Sequence, residues 1–166
     1  RIKEVNPIAI QKYLARDFTF FVSDDSEVTW KTISGISEWT WTIDSNNEDV
    51  SDIDSGAWGS SLYTQRTGTL ELNGFYLVES ITGIRDQGQL TIERAATKVG
   101  YDAYRNFRIE MTPLISGVKG TSMGGFKFQG QAALGDFGGN TTDVNPWGAT
   151  ILFNGKPTGS GVMAIF

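Results

Sequence analysis

An acidic cluster in the first third of the chain is the feature most able to support chemistry. Glu48, Asp49, Asp52 and Asp54 all fall within residues 48–54. Carboxylates at this density can bind a divalent cation, serve as acid and base in catalysis, or form a contact surface for another molecule. The residues around the cluster help to separate these three interpretations.

The cation interpretation fails on spacing. A helix–loop–helix calcium site requires a glutamate at the twelfth position of its loop, because that side chain supplies two of the oxygen ligands. Counted from Asp52, the twelfth residue is Tyr63. The sequence therefore predicts neither a metal site nor a cofactor in this cluster.

The catalytic interpretation has little more support. Glu38, Glu71 and Glu110 could be combined with the five tryptophans into a sugar cleft with two carboxylates. Nothing in the sequence selects a catalytic pair among them. Each glutamate lies on the polar side of an alternating strand pattern, and a solvent-exposed face is enough to explain a glutamate there. The chain has no Cys and no His, which excludes thiol nucleophiles, disulfides and Ser-His-Asp triads. We therefore expect that the protein is not an enzyme.

The composition indicates a folded domain built from short extended segments. Hydrophobic residues make up 39% and aromatic residues 12%, too much for a disordered chain, and 20 Gly against 4 Pro predict many turns. No stretch of 18 consecutive apolar residues is present, so we expect no membrane insertion. We predict one domain over residues 17–166, preceded by a basic N-terminal arm over residues 1–16.

Period-two alternation of apolar and polar residues predicts the strands. Residues 39–43 alternate Trp and Ile with Thr, and similar patterns run through residues 70–72, 107–111 and 147–153. The alternation slips at Asn73-Gly74, which predicts a bulge or a tight bend. The apolar positions of three of these patterns give the predicted core, which consists of Trp39, Trp41, Leu70, Leu72 and Trp147.

One segment has helical character. Asp86 is a typical helix N-cap, an apolar stripe follows, and Gly100 stands where a C-terminal glycine is common. The stripe consists of Leu90, Ala95, Ala96 and Val99. The fold class predicted is therefore mainly β, with two packed antiparallel sheets in a sandwich or barrel, one flanking α-helix and a long inter-strand loop over residues 44–58.

Charge is unevenly distributed along the chain. Residues 17–62 contain ten acids and a single base, Lys31, within a chain of net charge −5. Nucleic-acid binding depends on Lys and Arg neutralising phosphates, so this region is not expected to bind DNA. A solvated acidic face that keeps the protein soluble would give the same pattern, and the two interpretations stay open at this point.

Several motifs, taken in order, resemble the major tail (tail tube) proteins of long-tailed bacteriophages. They are "SGAWGSSLYTQRTGTLELNGFYL", then "ITGIRDQGQLTIERAATKVG", then "TTDVNPWGATILFNGKPT". The resemblance spans about residues 28–158. It implies a β-sandwich with a flanking helix that forms six-membered rings, which stack into a hollow tube.

The resemblance also assigns roles to particular residues. It implies that the long loop is a contact between rings, carried by Asp44, Glu48, Asp49, Asp52, Asp54 and Trp58. Glu38 and Glu71 become candidates for a negatively charged lumen through which DNA passes without specific binding. The implied partners are further copies of the chain and the tape measure, tail tip and tail terminator proteins. The implied location is the virion tail, reached from the host cytoplasm during assembly. The alternative is a carbohydrate-binding β-sandwich module with exposed tryptophans.

Overall fold

The computed structural model describes residues 14–51, 59–115, 118–135, 138 and 142–161. The predicted N-terminal arm therefore falls outside the described residues, except for Leu14, Ala15 and Arg16 at its end. The strands are β1 Phe18–Ser23, β2 Lys31–Ile33, β3 Ile36–Asp49, β4 Ser61–Phe75, β5 Tyr104–Met111, β6 Leu114–Ile115, β7 Val118–Lys119, β8 Gly124–Leu134 and β9 Pro146–Gly161. One α-helix, α1, spans Gln87–Ala96, and short 3-10 helices span Ala15–Asp17 and Gly100–Ala103.

The mainly β fold with one helix is confirmed, but the sheet arrangement differs from the prediction of two sheets. Among the described strands, seven form one antiparallel sheet in the order β2-β1-β5-β8-β9-β4-β3, and β6 and β7 form a separate pair. This sheet curls until strands from its two ends meet, so that the Trp39 ring on β3 lies 4.8 Å from the Phe18 ring on β1. A single twisted sheet thereby supplies both layers of the core, which period-two alternation could not distinguish from two separate sheets.

The apolar side of the curled sheet forms the core. Leu70, Leu72 and Trp147 are buried there, with exposed fractions of 1%, 0% and 2%. Trp39 and Trp41 are partly buried at its margin. The Trp41 ring packs 4.1 Å from that of Phe126 on β8, across the concave side of the sheet. The predicted core residues thus line one side of the sheet.

Helix α1 begins as the sequence predicts and ends earlier. The Asp86 carboxylate accepts a hydrogen bond from the backbone amide of Gln89 at 2.9 Å, which caps the first turn. The helix ends at Ala96 with Thr97 as its C-cap, and Gly100 instead begins a 3-10 helix. The predicted apolar stripe is wrong at Val99, which is 88% exposed. The face buried against the sheet consists of Gly88, Gln89, Thr91, Ile92 and Ala95.

A buried glutamine explains why that face packs inward. Gln89 is fully buried, and its amide nitrogen donates to the carbonyls of Ser34 at 2.9 Å and Phe75 at 2.8 Å. Its side-chain oxygen accepts from the Leu77 backbone amide at 3.3 Å. A buried amide is tolerated only when it is hydrogen-bonded, so Gln89 fixes the helix against the β2–β3 turn and the end of β4. Sequence patterning missed this residue because it treats glutamine as a surface residue.

Gly88→Ala is expected to destabilise the protein, although alanine has a higher helix propensity than glycine. A β-carbon at Gly88 would lie 2.3 Å from the Thr32 carbonyl oxygen, so Gly88→Ala must push the helix away from β2. In an exposed helix this substitution stabilises by about 1 kcal/mol. Here we expect a net loss of about 1–3 kcal/mol, because the clash is with backbone.

The measurement is urea unfolding of Gly88→Ala beside Gln87→Ala. Gln87 is the exposed neighbouring residue, so its substitution reports propensity without the clash. A Gly88→Ala protein as stable as the Gln87→Ala protein would contradict the close approach of α1 to β2.

Both Asn-Gly pairs lie inside strands. β4 continues through Asn73-Gly74 to Phe75, and the predicted irregularity appears in its partner, where Ser37 is the extra residue between the pairs Ile36↔Gly74 and Glu38↔Asn73. β9 continues through Asn154-Gly155, with Gly155 at φ +89° and a register shift against β8. β9, Pro146–Gly161, is therefore longer than the alternating pattern over residues 147–153 that predicted it.

Candidate assembly interface

A two-stranded arm extends beyond the body of the sheet. β3 and β4 stay paired from Ile43↔Gly68 out to Asp49↔Ser61, with one bulge, whereas β4 pairs with β9 only from Thr69 onward. In the described chain, no strand pairs with the outer edge of β3 or with the other edge of β4 before Thr69. The arm thus offers unpaired backbone N–H and C=O groups along two edges.

The arm is exposed on both faces and carries apolar side chains. Ile43, Val50, Leu62 and Tyr63 are 42%, 49%, 58% and 63% exposed. An isolated two-stranded hairpin is at best marginally stable in water. Free edges and exposed apolar groups together are typical of a segment that is covered by another molecule.

The residues predicted for the inter-strand loop divide between strand and turn. Asp44, Glu48 and Asp49 lie in β3, so the predicted loop over residues 44–58 is wrong for its first part. Pairing with β4 overrides the low strand propensity of the polar residues 45–49. Asp52, Asp54 and Trp58 lie outside the described residues. Hydrogen bonds from the Ser51 hydroxyl and backbone amide lower the pKa of Asp49, which keeps this carboxylate charged.

The outer face, defined as the side of the sheet opposite the core, carries both candidate lumen residues. Glu71 pairs with Thr40 and Thr150 on the neighbouring strands, and Glu38 pairs with Asn73. Both glutamates are exposed, and neither forms an ion pair with another described residue. The register therefore brings these two acids onto one polar surface of β3 and β4.

Cations on the same face are paired. Arg108 lies 3.1 Å from the Glu110 carboxylate and packs between the rings of Phe21 and Trp30, at 4.5 and 4.6 Å. Lys127 lies 2.6 Å from the Glu27 carboxylate. Among the described residues, the outer face thus presents acids without an ion-pair partner at the β3–β4 end and paired cations toward β5 and β8.

A polar cluster at the opposite end of β4 is structural in character. Arg85 forms an ion pair with Glu93 and lies over the Tyr76 ring at 4.9 Å, and the Trp147 indole donates to Glu93 at 3.3 Å. The hydrogen bond with Glu93 raises the pKa of Arg85. Burial, with the nearby Glu93 charge, raises the pKa of Tyr76. Both shifts favour the protonated forms of Tyr76 and Arg85, so neither side chain is suited to act as a general base at neutral pH.

Three other kinds of site can be compared with the described part of the chain: a metal site, a membrane-spanning helix and an aromatic sugar platform. No group of three or more acidic side chains is placed to hold a metal ion among the described residues. In the described segments, no helix is long and apolar enough to cross a membrane. The four described tryptophans, Trp30, Trp39, Trp41 and Trp147, are all buried or half-buried, which disfavours a flat aromatic sugar platform.

Solved structures share this fold at low sequence identity. A chain in the tail of an empty gene transfer agent particle, determined with C6 symmetry, matches with TM-score 0.58 and 14% identity over 90% of this chain and 100% of that chain. A chain of the SPP1 tail tube matches with TM-score 0.59 and 12% identity over 92% and 81%. A chain of the anti-feeding prophage tube-terminating cap matches with TM-score 0.61 and 10% identity over 98% and 100%.

These likenesses concern the fold. No protein-family model matches the sequence, and no curated protein matches it. The matches nevertheless cover nine-tenths or more of this chain. The chain therefore has the tail tube fold, as the sequence motifs indicated.

Proposed function

We propose that the protein is a structural subunit of a phage tail tube, which self-assembles into stacked six-membered rings and has no enzymatic activity. The observation that carries the proposal is the long arm with two unpaired edges, on a fold shared with chains of tail and tube assemblies. A monomer with this arm leaves backbone groups unpaired along its edges, whereas a closed ring of subunits pairs them.

The edges of the sheet support ring formation. β3 is the last strand on one side and runs for 14 residues, whereas β2 on the other side has three. The long β3 edge is the natural place for a neighbouring subunit to add strands. A ring of subunits closed around a symmetry axis would then leave no sheet edge unpaired.

The arm supports contacts between rings. Its described end carries Glu48 and Asp49 beside Val50 and Leu62, and the acids Asp52 and Asp54 with Trp58 follow in sequence. We assign this end to the inter-ring contact. The tape measure, tail tip and tail terminator proteins would meet the same tube at its ends or in its lumen, in a virion tail assembled in the host cytoplasm.

We propose that the outer face of the sheet, opposite the core, lines the lumen of the tube. Glu38 and Glu71 lie on this face and form no ion pair with any described residue, and the cations Arg108 and Lys127 are paired. Repeated around a ring, this pattern repels phosphate at distances up to the Debye length of about 8–10 Å. DNA could then pass through the tube without binding to it.

The lumen assignment predicts an effect of charge reversal on DNA ejection. In virions carrying Glu38→Lys or Glu71→Lys, tubes should assemble, because exposed charges contribute little to folding. DNA ejection should slow, and added salt should partly relieve this, because Lys–phosphate contacts are screened.

The matched control is Glu79→Lys, which reverses an exposed acid outside the sheet. Ejection at the wild-type rate in a Glu38→Lys or Glu71→Lys virion would remove that residue from the lumen. Loss of tubes would instead place it at a subunit interface.

Negative-stain electron microscopy of the purified protein at high concentration tests the proposed function. A tube subunit should form rings or long tubes. A carbohydrate-binding module should remain monomeric and be retarded in gels that contain polysaccharide. Monomers at every concentration, with such retardation, would replace the proposal by the alternative.

A further inference from the structure

A basic cleft lies at the base of the arm, on the side that continues the core. It is lined by Ile43, Arg66, Gly68, Phe153, Lys156 and Pro157. The Phe153 ring forms its floor and belongs to the core, 4.0 Å from the Phe128 ring and 4.4 Å from that of Trp41. A β-carbon at Gly68 would lie 2.1 Å from this ring, so glycine is required to let Phe153 pack there. The apolar surface of the core thus continues into an open cleft.

The rim of the basic cleft carries two cations. Arg66 and Lys156 are both exposed, and in the described part of the chain neither forms an ion pair. Arg66 only approaches the Tyr63 ring, at 5.7 Å. In a protein of net charge −5, two cations above an apolar floor are complementary to a segment that combines carboxylates with aliphatic side chains.

The end of the arm has this composition. We define the arm end as Glu48, Asp49, Val50 and Leu62, with Val50 49% and Leu62 58% exposed. The arm end cannot reach the basic cleft of its own chain. Ser61, opposite Asp49, is six residues along β4 from Thr67 at the cleft, a distance of about 20 Å in an extended strand.

We propose that the arm end of one copy binds in the basic cleft of a neighbouring copy. Glu48 would face Arg66 and Lys156, and Val50 and Leu62, which lie on the same face of the hairpin as Glu48, would cover the floor formed by Phe153. The inference rests on the proposed function and specifies which surface of the next subunit receives the arm. Because the two surfaces differ, the contact is heterologous and propagates from copy to copy, as a ring or tube requires.

Engineered cysteines test the contact directly, because the chain has none of its own. In the variant Glu48→Cys with Lys156→Cys, mild oxidation should give a ladder of covalent oligomers on a non-reducing gel, and reductant should collapse it to monomer. A disulfide requires Cα atoms within about 7 Å, so the two sites cannot join within one chain. The control is Glu48→Cys with Thr158→Cys, because Thr158 lies on the same strand as Lys156 but pairs with Lys127 on the outer face.

A ladder in the first variant and not in the control supports the proposal. The proposal is overturned if the first variant gives no ladder, or if the first variant and the control give equal ladders. This holds whether or not tubes are visible in the same sample. Failure of the proposed function is a separate result, since it is read as the absence of rings and tubes from the wild-type protein.

Charge reversal gives a second test that does not depend on disulfide geometry. Arg66→Glu with Lys156→Glu, and separately Glu48→Lys with Asp49→Lys, should each reduce tube yield by at least tenfold. Combining all four reversals should restore tubes, because the charges are again opposite. If the combined variant assembles no better than either parent, the pairing is wrong. If the wild-type protein binds DNA and Arg66→Glu with Lys156→Glu abolishes this binding, the cleft binds phosphate, and the proposal is overturned.

Discussion

Replacing residues 46–65 by the dipeptide Asn-Gly is expected to give a folded domain that forms no tubes. The described residues of this segment, 46–51 and 59–65, lie in the exposed arm. Ser45 and Arg66 are directly paired, so a two-residue turn can close the shortened hairpin. The core side chains of β3 and β4 are retained, since Trp41, Leu70 and Leu72 precede or follow the deletion. The arm edges and the arm end are lost.

The measurement combines thermal unfolding with negative-stain microscopy. We expect a melting temperature within a few degrees of wild type, because exposed segments contribute little to the core. Tube yield should fall below detection at a concentration where the wild type assembles fully. The basic cleft keeps Ile43, Arg66 and Phe153 in this variant, so failure to assemble would be assigned to the arm. Tubes of normal length would contradict the role of the arm.

Trp147→Ala is expected to cost about 3–5 kcal/mol of the free energy of unfolding, the largest effect of any single substitution considered for this protein. Trp147 is 2% exposed and lies beside Gly74 on β4, within the buried cluster of the core. Its removal leaves a cavity and also deprives Glu93 of the indole hydrogen bond. With a typical domain stability of about 5–15 kcal/mol, such a loss would leave much of the protein unfolded or insoluble.

Trp147→Phe separates the two contributions. Phenylalanine keeps most of the buried volume and loses the indole donor, and Glu93 keeps its partner Arg85. We expect a loss of about 1–2 kcal/mol for this variant by urea unfolding, less than for alanine. An unchanged melting temperature for Trp147→Ala would show that the site is exposed, and it would favour the ligand-platform alternative.

The sequence predicted the parts of this fold that depend on local pattern. Alternation in residues 70–72, 107–111 and 147–153 identified the strands and the side that is buried, because each strand has one wet face and one apolar face. Asp86 identified the start of helix α1, because a cap depends on residues three positions apart. The order of motifs along the chain also indicated the tail tube fold found among the solved structures.

Tertiary structure decided everything that depends on residues distant in sequence. Asp44, Glu48 and Asp49 form strand because β4 pairs with them, and their own propensity predicts a loop. Gln89 is buried because three backbone groups from two separate segments, one at Ser34 and one at residues 75–77, meet its amide. Arg66 and Lys156 share a cleft although 90 residues separate them, because β4 and β9 bring them to the same end of one curled sheet. Local pattern fixes which face of a segment is apolar, but it carries no information on which segments meet, since that depends on the folding of the whole sheet.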